Sequence, residues 1–133
     1  MYKDLICRME IHPYRTLIVG ASAKPDRYAY MAAVKLQQHG YPIVQIALRE
    51  GEAAGQPILA GQPELHDIHT VTLYVGPQHQ PAYYDYLLRL RPKRVIFNPG
   101  TENAALEALL TEAGIEWLHA CTLTMLAIGQ YEE

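Results

Sequence analysis

The stretch TLIVGASAKPDRYAYMAAVK, residues 16–35, constrains this chain more than any other. Thr16-Leu17-Ile18-Val19 is a short apolar run that stops at Gly20. Small residues follow, Gly20-Ala21-Ser22-Ala23, then Lys24-Pro25-Asp26-Arg27, then an amphipathic segment. This layout predicts a buried parallel strand, a tight loop and a helix. Gly20 lets the backbone turn sharply and come close to a ligand. Ser22 offers a hydroxyl, and the helix start offers unpaired N–H groups at the positive end of a dipole. Such a loop suits an anion, a phosphate above all. The plainer alternative is that Gly20 only ends a strand of an α/β fold.

The rest of the chain repeats the alternation. Strands are expected at 15–20, 43–47, 70–75, 94–98 and 115–119. Ala29, Ala32, Ala33 and Leu36 have helical spacing, and Gly40 stops that helix. The segment 79–90 predicts a helix with Tyr83, Tyr86, Leu87 and Leu90 as its apolar stripe. A further helix follows Thr101, taken as its N-cap, with Leu106, Leu109, Leu110 and Ala113 on one face and Gly114 at its end. Residues 2–12 suggest an amphipathic lead-in, 49–57 a polar loop, Ile58-Leu59 a short extended piece, 63–66 one helical turn and 121–128 a short helix. Strands alternating with helices call for a three-layer Rossmann-like α/β fold: a mostly parallel sheet of about five strands with helices on both faces. In such sheets ligands sit beyond the carboxyl ends of the strands, near the switch in strand order. Those ends are Gly20, Ala47 to Arg49, Val75 to Pro77, Asn98 to Gly100 and His119 to Cys121.

Composition excludes several classes. A chain of 133 residues supports one domain, 1–133, with its core at about 14–131. A net charge of −3 argues against non-specific nucleic-acid binding. No apolar run approaches a membrane span, and residues 1–5 lack the pattern of a signal peptide. Two cysteines, Cys7 and Cys121, make no disulfide framework, so a cytoplasmic location is expected. The six histidines form no recognisable zinc pattern.

The strand ends narrow the ligand. The G-x-G-x-x-G dinucleotide fingerprint is absent from the loop at 20–25. The second strand ends in Ala47-Leu48-Arg49, with no carboxylate at its tip to bind a ribose diol. A cation there fits a phosphorylated ribose, either that of NADP or that of coenzyme A, unless Arg49 is simply solvated.

The sequence resembles the small stand-alone CoA-binding proteins, which are similar to the CoA-binding domain of the succinyl-CoA synthetase α subunit. The resemblance covers roughly residues 14–131. It rests on Val19 to Arg27, Ile46 to Arg49, Tyr74 to Pro77, Phe97 to Asn103, and Cys121. It implies that Gly20, Ala21, Ser22, Lys24, Pro25 and Arg27 surround the CoA phosphates. Arg49, with Ala47 and Leu48, would lie by the 3′-phosphorylated ribose or the diphosphate. Val75, Gly76 and Pro77 would line the adenine and pantetheine path, and Asn98, Pro99 and Gly100 the pantetheine end. The sequence departs from the family pattern at Ala47-Leu48, where Asn-Pro is usual, and at His119-Ala120, where Asp-Arg is usual.

No catalytic constellation is evident. The phosphorylatable histidine of the synthetases lies in a second domain, which 133 residues do not accommodate, and no G-x-S-x-G elbow occurs. Cys121 is the one residue with candidate chemistry, as a thiol at the CoA end or as an inert buried side chain. The leading expectation is a non-catalytic module binding CoA or acyl-CoA. The alternatives are an NADP-dependent reductase on the same fold, or a module that interacts with a protein partner or a second copy. In the last case Tyr83, Tyr84 and Tyr86 would form an exposed patch; the helical spacing packs them on the sheet instead.

Overall fold

The computed structural model describes residues 14–132. The lead-in expected at residues 2–12 lies outside them. Seven strands form one sheet in the order β3-β4-β2-β1-β5-β6-β7. They are β1 (Thr16–Val19), β2 (Ile43–Ala47), β3 (Gly51–Ala53), β4 (Gln56–Ala60), β5 (Thr70–Leu73), β6 (Arg94–Phe97) and β7 (Glu116–His119). Every neighbouring pair is parallel except β3 with β4. Among the described residues four α-helices flank the sheet: α1 (Tyr28–Gln38), α2 (Tyr84–Leu90), α3 (Ala104–Glu112) and α4 (Thr122–Ala127).

The five expected strands are all present, and two more extend the sheet. Residues 49–57 are not simply a loop. Ala54 and Gly55 both take positive φ, 56° and 74°, and turn the chain between Ala53 and Gln56 into a two-residue hairpin. Its second strand, β4, then pairs with β2. The buried Gln45 side chain locks the hairpin down, donating from Nε2 to the Ala53 carbonyl at 2.9 Å.

Side chains alternate across the sheet and divide the core. Leu17, Val19, Val71, Leu73, Val95 and Phe97 face α2 and α3, where Tyr83, Tyr86, Leu87, Leu106 and Leu110 cover them. Ile18 and Ile96 face the opposite way, toward Ala29, Ala33 and Leu36 of α1, Leu126 of α4 and Tyr131. The small apolar residues of α1 let it approach the sheet closely. A Gly40 turn ends that helix: Gly40 N–H bonds the Gln37 carbonyl and Tyr41 N–H the Leu36 carbonyl.

Three local expectations are corrected. Residues 63–66 form no helical turn; the Pro63 and His66 carbonyls instead accept from the Tyr86 hydroxyl and the Arg15 guanidinium. The helix expected from 79 begins only at Tyr84, after two 3₁₀ turns at Pro77–His79 and Pro81–Tyr83. Pro81 has no N–H to continue a helical ladder from the first turn. Asn103, not Thr101, caps α3; its Oδ1 accepts from Ala105 and Leu106 N–H. The Thr101 hydroxyl donates to the Asn98 carbonyl at 2.8 Å instead. Tyr83 and Tyr86 are buried and Tyr84 half-buried, so the three tyrosines form no exposed patch. Among the described residues no helix is long and apolar enough to cross a membrane.

Candidate functional site

Strand order reverses at β1, whose neighbours are β2 on one side and β5 on the other. The crevice beyond the carboxyl ends of β1 and β5 is therefore the switch point of the sheet. Gly20 sits at its base with φ +90°, and a Cβ there would lie 2.8 Å from Val75 Cγ2 and 3.0 Å from the Tyr74 carbonyl carbon. Only glycine satisfies both the conformation and the approach. The Gly20 and Ala21 N–H groups both donate to the Ile46 carbonyl, at 3.0 Å each, and clamp the loop to the end of β2. Those two donors hold the loop rather than a ligand. The Ser22 hydroxyl accepts from Lys24 N–H at 3.1 Å, which leaves its proton free to donate onward. Among the described residues Arg27 makes no side-chain cap at the start of α1, whose first N–H groups have no partner within the helix.

Two cavities meet over this loop. The larger, about 950 Å³, is walled by Gly20, Ala21, Ser22 and Lys24, by Ala47, Leu48 and Arg49, and by Val75 and Gly76. The smaller, about 380 Å³, shares Gly20, Ser22, Lys24 and Gly76, and adds Arg27, Pro99 and Gly100. The ends of four strands, β1, β2, β5 and β6, thus contribute to these linings. Lys24 serves both cavities, Arg49 the larger and Arg27 the smaller. Among the described residues Glu50 is the one carboxylate on either lining. Leu48, 89% exposed, offers an apolar lip beside Arg49.

Pro25, Pro77, Asn98 and Cys121 line neither cavity. Asn98 is buried, and its amide is fully engaged by the fold. Its Nδ2 donates to Thr72 Oγ1 at 2.7 Å and to the Leu73 carbonyl at 2.9 Å. Its Oδ1 accepts from Thr122 N–H at 2.9 Å. Cys121 is half-buried at the N-cap of α4. Burial pushes its thiol pKa up, but hydrogen bonds from the Thr124 hydroxyl and from Thr124 and Leu123 N–H outweigh this and hold it below the ordinary value.

Several lining residues escaped the sequence reading. Gln78, His79, Pro81, Ala82 and Tyr83 come from the turns after β5, and Gly61 and Gln62 follow β4. An unrecognised strand has an unrecognised end, so Gly61 and Gln62 gave no signal. Tyr74 and Tyr28, named only as parts of longer motifs, line the smaller cavity with Thr101. Tyr28 is 68% exposed.

Comparisons with known proteins bear on the family and the fold. A family model described as a CoA binding domain matches residues 14–127. An uncharacterized protein of known crystal structure is 47% identical, with a TM-score of 0.87 over 89% of this chain and 98% of its own. A hypothetical protein from Pyrococcus horikoshii OT3 is 25% identical, with a TM-score of 0.75 over 93% and 88% of the two chains. A 16% identical match shares the fold alone: acetyl-coenzyme A synthetase 1 of Ca. Korarchaeum cryptofilum, with a TM-score of 0.66 over 86% of this chain and 27% of that one. No curated protein matches. With that match spanning residues 14–127 of the 133, this chain belongs to the CoA-binding domain family.

Proposed function

We propose that this protein is a single-domain, non-catalytic, cytoplasmic module that binds coenzyme A or an acyl-CoA across the two cavities, without a nucleic-acid or membrane partner. The observation that carries the reading is the convergence of Lys24, Arg27 and Arg49 on cavities that join over the Gly20 loop. CoA places a phosphorylated ribose and a diphosphate at separated points along one extended molecule, and these cations are divided between two cavities that share the Gly20 loop. Arg49 would hold the 3′-phosphate and Leu48 would cover the nucleotide. Lys24, the Ser22 hydroxyl and Arg27 would hold the diphosphate. Val75 and Gly76 would guide the pantetheine arm toward Pro99 and Gly100. When bound, CoA supplies a thiol; the residues named here hold and orient it. Asn98, through its bonds to Thr72, Leu73 and Thr122, would support the turn that carries Pro99 and Gly100, and Cys121 would make no direct contact with the ligand.

Thermal shift with CoA, 3′-dephospho-CoA and NADP tests the reading. A ligand at about 100 times its Kd adds roughly 2.7 kcal/mol, a shift on the order of 10 °C for a chain of this size. The expected result is a shift with CoA that is smaller with dephospho-CoA. A shift with NADP alone would replace the reading with a reductase that takes a 2′-phosphate at Arg49. No shift with any of the three would remove it.

A further inference from the structure

Gln80 lines neither cavity, yet it is only 1% exposed and every polar atom of its side chain is engaged. Nε2 donates to the Val75 carbonyl at 2.9 Å and to the Thr101 carbonyl at 2.7 Å. Oε1 accepts from Asn103 Nδ2 at 2.9 Å. The amide has one possible orientation, because both partners of Nε2 only accept and the partner of Oε1 only donates. Val75 walls the larger cavity, and Thr101 belongs to the smaller one. One buried side chain therefore bridges the segment after β5 to the turn before α3, 21 residues further along the chain. Asn103 holds the strut from behind while its Oδ1 caps α3, so the strut is anchored to a helix end.

We propose that Gln80 is a positioning residue that fixes the Gly100–Thr101 lip of the smaller cavity against Val75, and so sets the passage for the part of the ligand beyond the nucleotide. This rests on the CoA reading above. Val75 has a second support through the residue before it, whose N–H bonds the Val19 carbonyl at 2.9 Å. Loss of the strut therefore displaces the lip more than the nucleotide wall.

The test measures two ligands by calorimetric titration. CoA spans both cavities, whereas adenosine 3′,5′-bisphosphate carries the nucleotide and lacks the pantetheine arm. Gln80→Glu keeps the shape but sets a carboxylate oxygen against two carbonyls. It should weaken CoA about tenfold and leave the bisphosphate within about twofold. Asn103→Ser keeps a capping oxygen and removes the donor to Gln80, and should show the same split at smaller size. It decides the matter if Gln80→Glu does not fold. Tyr86→Phe, which removes a bond to Pro63 between two residues that line neither cavity, should show no split. Equal weakening of both ligands in the Gln80 and Asn103 variants, or no change in either, would overturn the positioning role alone. Wild-type protein that binds no CoA would overturn the underlying reading, and the role with it.

Discussion

The turns after β1 and after β6 look alike in sequence and do opposite work. Val19-Gly20-Ala21-Ser22 and Phe97-Asn98-Pro99-Gly100 both end a central strand with turn-forming residues. At the first, the demand is local: a positive φ and no room for a Cβ, which leaves the loop open above. At the second, the conspicuous polar residue is turned inward. Asn98 binds Thr72, Leu73 and Thr122, which lie 24 to 26 residues away, and only the flanking Pro99 and Gly100 reach a cavity. A polar side chain at a strand end marks a ligand only if distant parts of the chain have not already engaged it.

This contrast can be broken most easily at Gly20. Gly20→Ala must accept a strained backbone and push against Val75 and the Tyr74 backbone. It should lower stability by about 2–5 kcal/mol. Urea denaturation is the measurement, and an unchanged midpoint would mean that the loop has slack and the contrast is false. Asn98→Ala comes next. It strands Thr122 N–H and the Leu73 carbonyl and should cost about 2–4 kcal/mol. The folded fraction should still bind CoA. Loss of binding without loss of stability would move Asn98 from support to ligand contact.

Features set by local chemistry were legible in the sequence. The β1–loop–α1 unit, the buried Ala29, Ala32, Ala33 and Leu36 stripe, and the Gly40 stop all follow from periodicity and backbone preference. The β3–β4 hairpin was not legible. Its turn uses Ala54-Gly55 rather than Asn-Gly, and Pro57 interrupts the strand pattern of β4. Nor could the strand residues reveal that Thr70 and Arg94 sit on a buried polar face. Arg94 is buried because Tyr131, 37 residues on, lays its ring 4.6 Å from the guanidinium and its carbonyl 2.6 Å from Nη2. Among the described residues no carboxylate pairs with Arg94; hydrogen bonds to Thr70 and Tyr131 and the aromatic face stabilise it. Long-range partners of this kind leave no periodic trace.

Arg49 sharpens the comparison from the open side. It is exposed and makes no hydrogen bond or ion pair with the described residues, which leaves its guanidinium open to the 3′-phosphate of the proposed ligand. Arg49→Ala should leave stability within about 0.5 kcal/mol and weaken CoA about tenfold. The loss should nearly vanish with 3′-dephospho-CoA. Equal losses for both ligands would move Arg49 from the 3′-phosphate to the diphosphate.

Tyr74 gives the smallest effect at neutral pH and tests the inward side of the comparison. Its hydroxyl is buried and has no hydrogen-bond partner among the described residues, although the Thr72 and Thr122 hydroxyls lie close enough to lower its pKa. Those two bond each other at 2.8 Å, and Asn98 donates to Thr72 as well, so the network closes without Tyr74. Burial dominates and pushes the Tyr74 pKa up to about 12, from 10.0. A raised pKa on an acid means that the unfolded chain loses its proton first. The associated stability is therefore complete below pH 10 and falls as pH rises toward about 12, by about 1–3 kcal/mol from this residue. Tyr74→Phe should make that alkaline decline shallower. A remainder should persist, because burial also raises the pKa values of Tyr83, Tyr86 and Tyr131. At pH 7 the same variant should be unchanged or more stable by up to about 1 kcal/mol, since an unpartnered buried hydroxyl is costly to keep. Urea midpoints at pH 7 and pH 11 decide between the two arrangements. A loss above about 1 kcal/mol at pH 7 would show that Tyr74 shares the Thr72–Thr122 network, and that Asn98 does not close it alone.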